Sequence, residues 1–211
     1  MFGDGALAFR EYVMREPLPL ATVQEAVLDF LRDRKDAVLF GAQAVNAYAR
    51  QARMTEDVDL LSTRAEELAN ELRDHLAARF HIAVRVREIG EGRGYRLYQI
   101  RKPANRHLVD VRPVAVLPPT RKIRRVLVAA PEELVARKVL AWHQRRGQPK
   151  SWTDRRDLAV LLLAFPQLKQ QHGAVEQSLK AAGAGAGVLA AWKELVVQKI
   201  MPAREDRKSV V

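Results

Sequence analysis

The chain has 211 residues, of which 48% are hydrophobic and 29% are charged, a balance typical of a globular protein rather than a disordered one. Its formal net charge of +11 favours polyanionic partners such as nucleic acid or a nucleoside triphosphate (NTP). Because the chain has no cysteine, disulfides, thiolate zinc sites and cysteine nucleophiles are excluded. The start lacks a secretory-signal pattern and no apolar run is long enough to span a bilayer, so we expect a cytoplasmic protein with no membrane partner.

The first 125 residues alternate between helical and extended patterns. Apolar residues recur at helical spacing near the start, and a short apolar run ending in Gly41 predicts a buried strand. Further on, Gly-Glu-Gly-Arg-Gly joins two β-rich stretches as a hairpin connection would. The predicted ranges are helix 21–34, strand 37–41, helix 42–52, strand 57–61, helix 64–79 and strands 81–88, 95–102 and 107–116. This order predicts an α+β fold with a mixed sheet flanked by helices.

The composition changes near residue 125. A basic, proline-marked segment, 118–125, is followed by Pro131, which suits the first position of a helix. From there the pattern is helical throughout, with predicted helices at 131–146, 153–165, 173–182 and 187–200. We therefore expect an α+β core over residues 1–125 and a C-terminal helical domain over 126–211 that closes a cleft.

Two acids stand in the predicted strand 57–61. Side chains alternate between the faces of a strand, so Asp57 and Asp59 are expected on one side, roughly 7 Å apart at Cα. Two such carboxylates can bind the pair of divalent ions, about 4 Å apart, that stabilises the attacking and leaving oxygens of phosphoryl transfer. The alternative is an ordinary charged strand end at the surface, although aspartate is disfavoured in strands.

Asp110 is a third acid in an apolar strand, Leu-Val-Asp-Val. If that strand lies beside the strand of Asp57 and Asp59, Asp110 can join the metal site and accept a proton from an attacking hydroxyl; otherwise it is an edge charge that discourages aggregation. Gly41, between a strand and a helix, can let backbone amides cradle phosphate, or can serve only the turn. We expect His107 and His143 to be incidental.

These residues resemble a known family. The stretch LFGAQAVNAYARQARMTEDVDLLS is similar to the signature of the DNA polymerase β-like nucleotidyltransferases, most of all the branch containing the AbiEii-type toxins of toxin–antitoxin systems. The resemblance implies a nucleotidyltransferase fold, with Asp57, Asp59 and Asp110 as ligands of two Mg²⁺ ions (Mn²⁺ being possible). Gly41 would hold the triphosphate, with Ala42 in a position that is usually Gly or Ser. An antitoxin partner is also implied.

Further candidate site residues lie between this turn and the acids, and on one pair of helices in the second half of the chain. Arg53 is expected to anchor phosphate or its own loop, and Thr55 to contact the nucleotide or serve structure. At about 100° per residue, Lys138 falls on the apolar arc of its helix and Asp157 on that of the next, so each needs a partner. Members of the branch carry a Lys and a Lys-Asp-x-x-Asp-Leu-like motif in such helices. Lys138 then either reaches the triphosphate, with Asp157 orienting it or contacting the nucleotide, or forms a buried ion pair with Asp157 that joins the helices.

The resemblance implies transfer of a nucleoside monophosphate from an NTP to an acceptor. The charge and the toxin branch favour RNA as acceptor, such as a tRNA 3′ end. The alternatives are transfer to a protein or small-molecule hydroxyl, or a non-catalytic RNA- or protein-binding module. Several basic residues can steer RNA or form a solvated surface: Arg121, Lys122, Arg124, Arg125, Arg145, Arg146, Lys150, Arg155 and Arg156.

Overall fold

The computed structural model describes residues 18–49 and 52–201. The chain divides into two compact units, with the division between Ala130 and Pro131. The first unit contains a β-sheet and three of the described helices, and the second is helical. The fold is α+β, as the sequence predicts.

Within the described residues, seven strands form one mixed sheet in the order β3-β4-β5-β2-β1-β7-β6. Parallel pairing joins β2 to β5 and β1 to β7, and the other neighbours are antiparallel. The strands are β1 (Ala37–Phe40), β2 (Val58–Ser62), β3 (Val84–Ile89), β4 (Gly94–Gln99), β5 (Arg106–Pro113), β6 (Thr120–Ile123) and β7 (Val126–Ala129). The pairing of β2 with β5 sets the acid-bearing strands side by side.

Three helices accompany this sheet: α1 (Leu20–Phe30), α2 (Gly41–Tyr48) and α3 (Ala65–Phe80). Leu68, Leu72 and Leu76 recur every fourth residue of α3 and are fully buried against β3, β4 and β5, as an amphipathic helix requires. Helix α2 is shorter than the predicted 42–52, and residues 50–51 lie outside the described residues. The functional side chains of β4 and β5 project from the sheet face opposite α3.

The basic segment 118–125 contains a strand that the sequence analysis did not predict. Strands β6 and β7 form a hairpin whose connecting residues, Arg124 and Arg125, both have positive φ, at 48° and 71°. Such a turn usually contains Asn-Gly, so the arginine pair carries no recognisable hairpin signal. The predicted domain boundary after residue 125 therefore falls inside this hairpin, five residues before the division at Ala130.

The second unit contains α4 (Pro131–Gln144), α5 (Pro149–Ala164), α6 (Ala174–Ala181) and α7 (Ala186–Val197), with a short 3-10 turn at Pro166–Leu168. Helix α4 packs against α5, α6 and α7, and Trp192 of α7 is fully buried. Helix α5 begins at Pro149, earlier than predicted, because proline fits the first helical turn. None of the helices in the described residues has the length and apolar character needed to cross a membrane.

Candidate active site

The segment before β2 is held by side chains of two helices. Asn46 of α2 donates a hydrogen bond to the carbonyl oxygen of Arg53 (2.8 Å) and accepts one from its amide (3.0 Å). Gln24 of α1 donates to the carbonyl oxygen and the hydroxyl of Thr55, at 2.8 and 3.1 Å. Thr55 is buried, and these bonds fix the backbone that leads to Asp57. The bond to the hydroxyl of Thr55 supports the structural alternative for that residue, whereas those between Asn46 and Arg53 involve only the backbone of Arg53 and leave both alternatives for its side chain open.

The three predicted acids lie on one part of the sheet. Asp110 of β5 is the register partner of Asp59 on the neighbouring parallel strand β2. Asp57 lies in the bend just before β2 rather than in the strand itself, because β2 begins at Val58. Asp110 is buried, whereas Asp57 and Asp59 are half-buried. The strand pairing on which the predicted role of Asp110 depends is therefore present.

His107 lies among these acids, which the sequence analysis did not anticipate. Its Nδ1 is 3.3 Å from Oδ2 of Asp57, and its Nε2 is 2.8 Å from Oδ1 of Asp110. A β-bulge explains the position: Tyr98 pairs with His107, but the preceding residue, Leu97, pairs with Val109. The extra residue in β5 turns His107 to the face of Asp110, whereas a spacing of three in a regular strand puts side chains on opposite faces.

Arg96 of β4 fixes the Asp110 carboxylate. Its guanidinium donates from Nε to Oδ1 (2.7 Å) and from the terminal nitrogen to Oδ2 (3.1 Å), a bidentate pair. Burial raises the pKa of the Asp110 carboxyl, but the hydrogen bonds from His107 and Arg96 outweigh burial and hold the pKa at about 2. The hydrogen bond with Asp110 raises the pKa of Arg96 above its ordinary value. Asp110 is thus ionised and weakly basic in the free protein.

Asp59 lies against the turn that begins α2. Gly41 has φ +70°, and a Cβ atom at this position would lie 2.0 Å from Oδ2 of Asp59. Only glycine fits there, for both the backbone conformation and the space. The guanidinium of Arg112 is 4.0 Å from Oδ1 of Asp59. The first residues of α2, Gly41 and Ala42, thus lie next to one of the predicted acids.

The donor atoms suit a divalent cation. One oxygen of Asp57, one nitrogen of His107 and one oxygen of Asp110 all lie within 4.8 Å of one another. Carboxylate oxygens are ligands of Mg²⁺ and Mn²⁺, and imidazole nitrogen is a ligand of transition metals. Asp59 is not part of this group, and it faces Gly41 instead. The residues present therefore fit a metal ion, with His107 in the group where Asp59 was expected from the sequence.

Lys138 and Asp157 form the ion pair that was one of the two predicted alternatives. The ammonium of Lys138 on α4 lies 2.8 Å from Asp157 and 3.1 Å from Asp154, both on α5. Asp154 also pairs with Arg145 at 2.8 Å, so two basic side chains contact this one carboxylate. Asp157 is 0% exposed and Asp154 3%. These contacts join α4 to α5 within the second unit.

Basic side chains follow the sheet face that carries the acids. In β3, Arg85 is the register partner of Tyr98, and Arg87 that of Arg96, so both arginines project on the side of Asp110. Both are exposed. By contrast, several of the predicted basic residues have acidic partners nearby: Lys122 and Arg125 pair with Asp33, Arg145 with Asp154 and Arg146 with Glu194.

The fold is similar to those of known proteins. One is the Megavirus polyadenylate synthase (TM-score 0.58, 16% identity, covering 77% of this chain and 34% of that chain). Another is JHP933 from Helicobacter pylori (TM-score 0.56, 14% identity, covering 88% of this chain and 83% of that chain). The chain spans about a third of the length of the polyadenylate synthase. No curated protein sequence matches the chain.

The family match over most of the chain defines the class of this protein, a nucleotidyltransferase. The sequence matches the family described as "Nucleotidyl transferase AbiEii toxin, Type IV TA system" over residues 25–208. The chain belongs to this AbiEii family of nucleotidyltransferases, which confirms the resemblance predicted from the residues.

Proposed function

We propose that the protein uses a divalent metal to transfer a nucleoside monophosphate from an NTP to RNA, releasing pyrophosphate. The observation that carries the proposal is the donor group of Asp57, His107 and Asp110 beside Asp59 and the Gly41 turn. A metal ion bound there would supply charge stabilisation for the attacking and leaving oxygens.

Phosphate binding is assigned to the start of α2. The amides of Gly41 and Ala42 are at the N-terminus of that helix, where backbone N–H groups lack helical partners and favour anions. Glycine at 41 lets a phosphate approach the backbone closely. Arg112, near Asp59, adds a positive charge at the same place. The triphosphate is therefore proposed to lie between this turn and the acids.

Within the donor group, Asp110 is assigned to keeping the other donors in place rather than to accepting a proton. Both of its oxygens already accept hydrogen bonds from Arg96, and one also accepts a bond from His107. Those bonds fix the direction of the carboxylate and of the imidazole. Asp57 and Asp59, which are half-buried, are more accessible to substrate and metal.

RNA as the acceptor is supported by charge. The net charge is +11, and Arg85 and Arg87 extend from the acid-bearing face toward the edge of the sheet, since β3 is an edge strand. Such a row of arginines attracts a phosphate backbone. The family description, a type IV toxin–antitoxin system, also supports an antitoxin as a partner of this protein.

The test uses NTPs labelled at the α- or the γ-phosphate. Purified protein is incubated with Mg²⁺ or Mn²⁺, each NTP in turn and total bacterial RNA, and the products are separated on a denaturing gel. We expect the α-label, and not the γ-label, to appear in an RNA band, with pyrophosphate released. Label in the protein itself would assign a protein hydroxyl as acceptor. No transfer from any NTP to RNA or protein would contradict the proposal.

A further inference from the structure

His107 is placed among the acids by a local irregularity of the sheet. Without the bulge opposite Leu97 and Tyr98, the imidazole would face α3. A bulge leaves a residue unpaired and disrupts the ladder, and bulges recur next to active sites because they redirect a side chain. Here the redirected side chain is the one that lies between two carboxylates.

Both ring nitrogens of His107 are engaged by acids. Nδ1 lies 3.3 Å from Asp57 and Nε2 lies 2.8 Å from Asp110. The ring also packs on Tyr98, with a centroid distance of 5.5 Å and an angle of 41°. Asp57, Asp110 and Tyr98 thus hold the imidazole from three directions, and Arg96 in turn orients Asp110. Ordered metal ligands are held in this way by neighbouring hydrogen bonds.

The donor set differs from an all-carboxylate site in its chemistry. Mg²⁺ prefers oxygen ligands in octahedral geometry and keeps much of its water. Imidazole nitrogen binds first-row transition metals better, and their affinity for mixed nitrogen and oxygen sites rises from Mn²⁺ to Cu²⁺ and falls again at Zn²⁺. One histidine among two aspartates therefore shifts selectivity away from Mg²⁺.

We propose that Asp57, His107 and Asp110 bind a divalent first-row transition-metal ion in preference to Mg²⁺, with one nitrogen of His107 as a direct ligand. The inference rests on the proposed function, because it names the class of ion that the transfer would use. The competing arrangement is an oxygen-only site formed by the acids, with His107 outside it as a hydrogen-bond donor to Asp110. The two arrangements differ in whether nitrogen contacts the ion.

Mn²⁺ is the probe, because its electron spin reports directly on its ligands. The full chain, free of nucleotide, is titrated with Mn²⁺, and the loss of the free-ion EPR signal gives the affinity. Electron spin-echo modulation at saturation then shows whether ¹⁴N is bound. We expect ¹⁴N modulation, and we expect displacement of Mn²⁺ to need at least about a tenfold excess of Mg²⁺.

Three variants complete the test. His107→Phe keeps a ring against Tyr98 but has no nitrogen, so the modulation should disappear and the affinity should fall. His172→Ala is the matched control, because His172 is an exposed histidine that pairs with Glu176. Asp57→Asn should weaken Mn²⁺ binding with the imidazole intact, and it serves if His107→Phe fails to fold.

Absence of ¹⁴N modulation at saturating Mn²⁺, or unchanged modulation in His107→Phe, would overturn the inference. Failure of the inference can be told from failure of the proposed function. If the protein transfers label to RNA but no nitrogen binds the ion, the proposed function stands and His107 is not a ligand. If nitrogen binds the ion but no label is transferred, the metal site stands and the proposed function is wrong.

Discussion

Gly41 and Asp59 are in such close contact that no other residue fits at position 41. An added Cβ would lie 2.0 Å from Oδ2, 2.7 Å from Cγ and 2.8 Å from Cβ of Asp59. Rotating the carboxylate alone cannot relieve this overlap, because the Cβ of Asp59 is fixed by strand β2. The contact ties the strand–helix turn to the acid-bearing strand.

Gly41→Ala is therefore expected to destabilise the fold more than a positive φ alone would. Gly92→Ala is the matched control, since Gly92 has φ +82° and no neighbouring atom within 4 Å of an added Cβ. The control should lose about 1 kcal/mol from the left-handed backbone, and Gly41→Ala about 2 kcal/mol more from overlap. Chemical denaturation measures the unfolding free energy of both variants. Equal losses in the two would contradict the close contact between Gly41 and Asp59.

Asp36 should make the stability depend on acid pH. Its pKa is lowered by the bidentate hydrogen bonds from Arg34, at 3.0 and 2.8 Å. A carboxyl with a lowered folded pKa contributes stability above its unfolded pKa and loses it as the pH falls through the folded value. Asp36→Asn should thus cost about 1 kcal/mol near neutral pH. The difference in unfolding free energy between the wild type and the variant should shrink as the pH falls below the ordinary carboxyl pKa of 3.8. A difference that stays constant as the protein is acidified until it unfolds would be inconsistent with this pairing.

Lys138→Ala tests the two alternatives for this residue. Removing the ammonium takes the closest cation from Asp157, which is 0% exposed, so we expect a loss of about 3–5 kcal/mol in unfolding free energy. The exposed Lys193→Ala should change it by less than about 0.5 kcal/mol. Full NTP affinity and turnover in a destabilised variant would assign Lys138 to joining the helices. A raised KM for NTP, with the destabilisation, would support the predicted triphosphate contact.

Arg87→Ala should weaken RNA binding through charge. We expect the slope of log affinity against log salt to fall by about 1, because one phosphate contact is lost. Arg73→Ala is the control: it removes the same charge, but from α3, on the other face of the sheet. Fluorescence anisotropy of labelled RNA at several salt concentrations gives both slopes. An equal change of slope in the two variants would mean that RNA binding depends only on the net charge of the protein.

The sequence predicted much of the sheet because the determining signals are local. The apolar run before Gly41, the acids between apolar residues and Pro131 at a helix start each appear within a few residues. The pairing of β2 with β5 was a condition of the role considered for Asp110, and the structure contains it. The family resemblance rested on the stretch from the apolar run before Gly41 to the first two acids and on a motif in the C-terminal helices.

The features that the sequence did not predict depend on pairing between distant residues. The β-bulge that redirects His107 arises from the register of β4 on β5, and no pattern near His107 marks it. Arg96 has no signal either, because its bond to Asp110 crosses between strands. In the hairpin at 124–125, two arginines adopt positive φ where turn residues were expected. The spacing of three between a histidine and an acid in a strand therefore does not predict that their side chains share a face unless the strand register is known.

The central claim is that the acids beside the Gly41 turn perform the transfer. Its most direct test compares wild type with Asp57→Asn/Asp59→Asn in the α-labelled NTP assay, with Glu56→Gln, a neighbouring exposed acid, as control. Amides bind divalent metals poorly, so the double variant should lose at least about 100-fold in transfer rate while keeping its far-UV circular dichroism and cooperative unfolding. The control should retain wild-type activity. Wild-type transfer by a folded double variant would contradict the account, because the chemistry would then lie elsewhere in the chain.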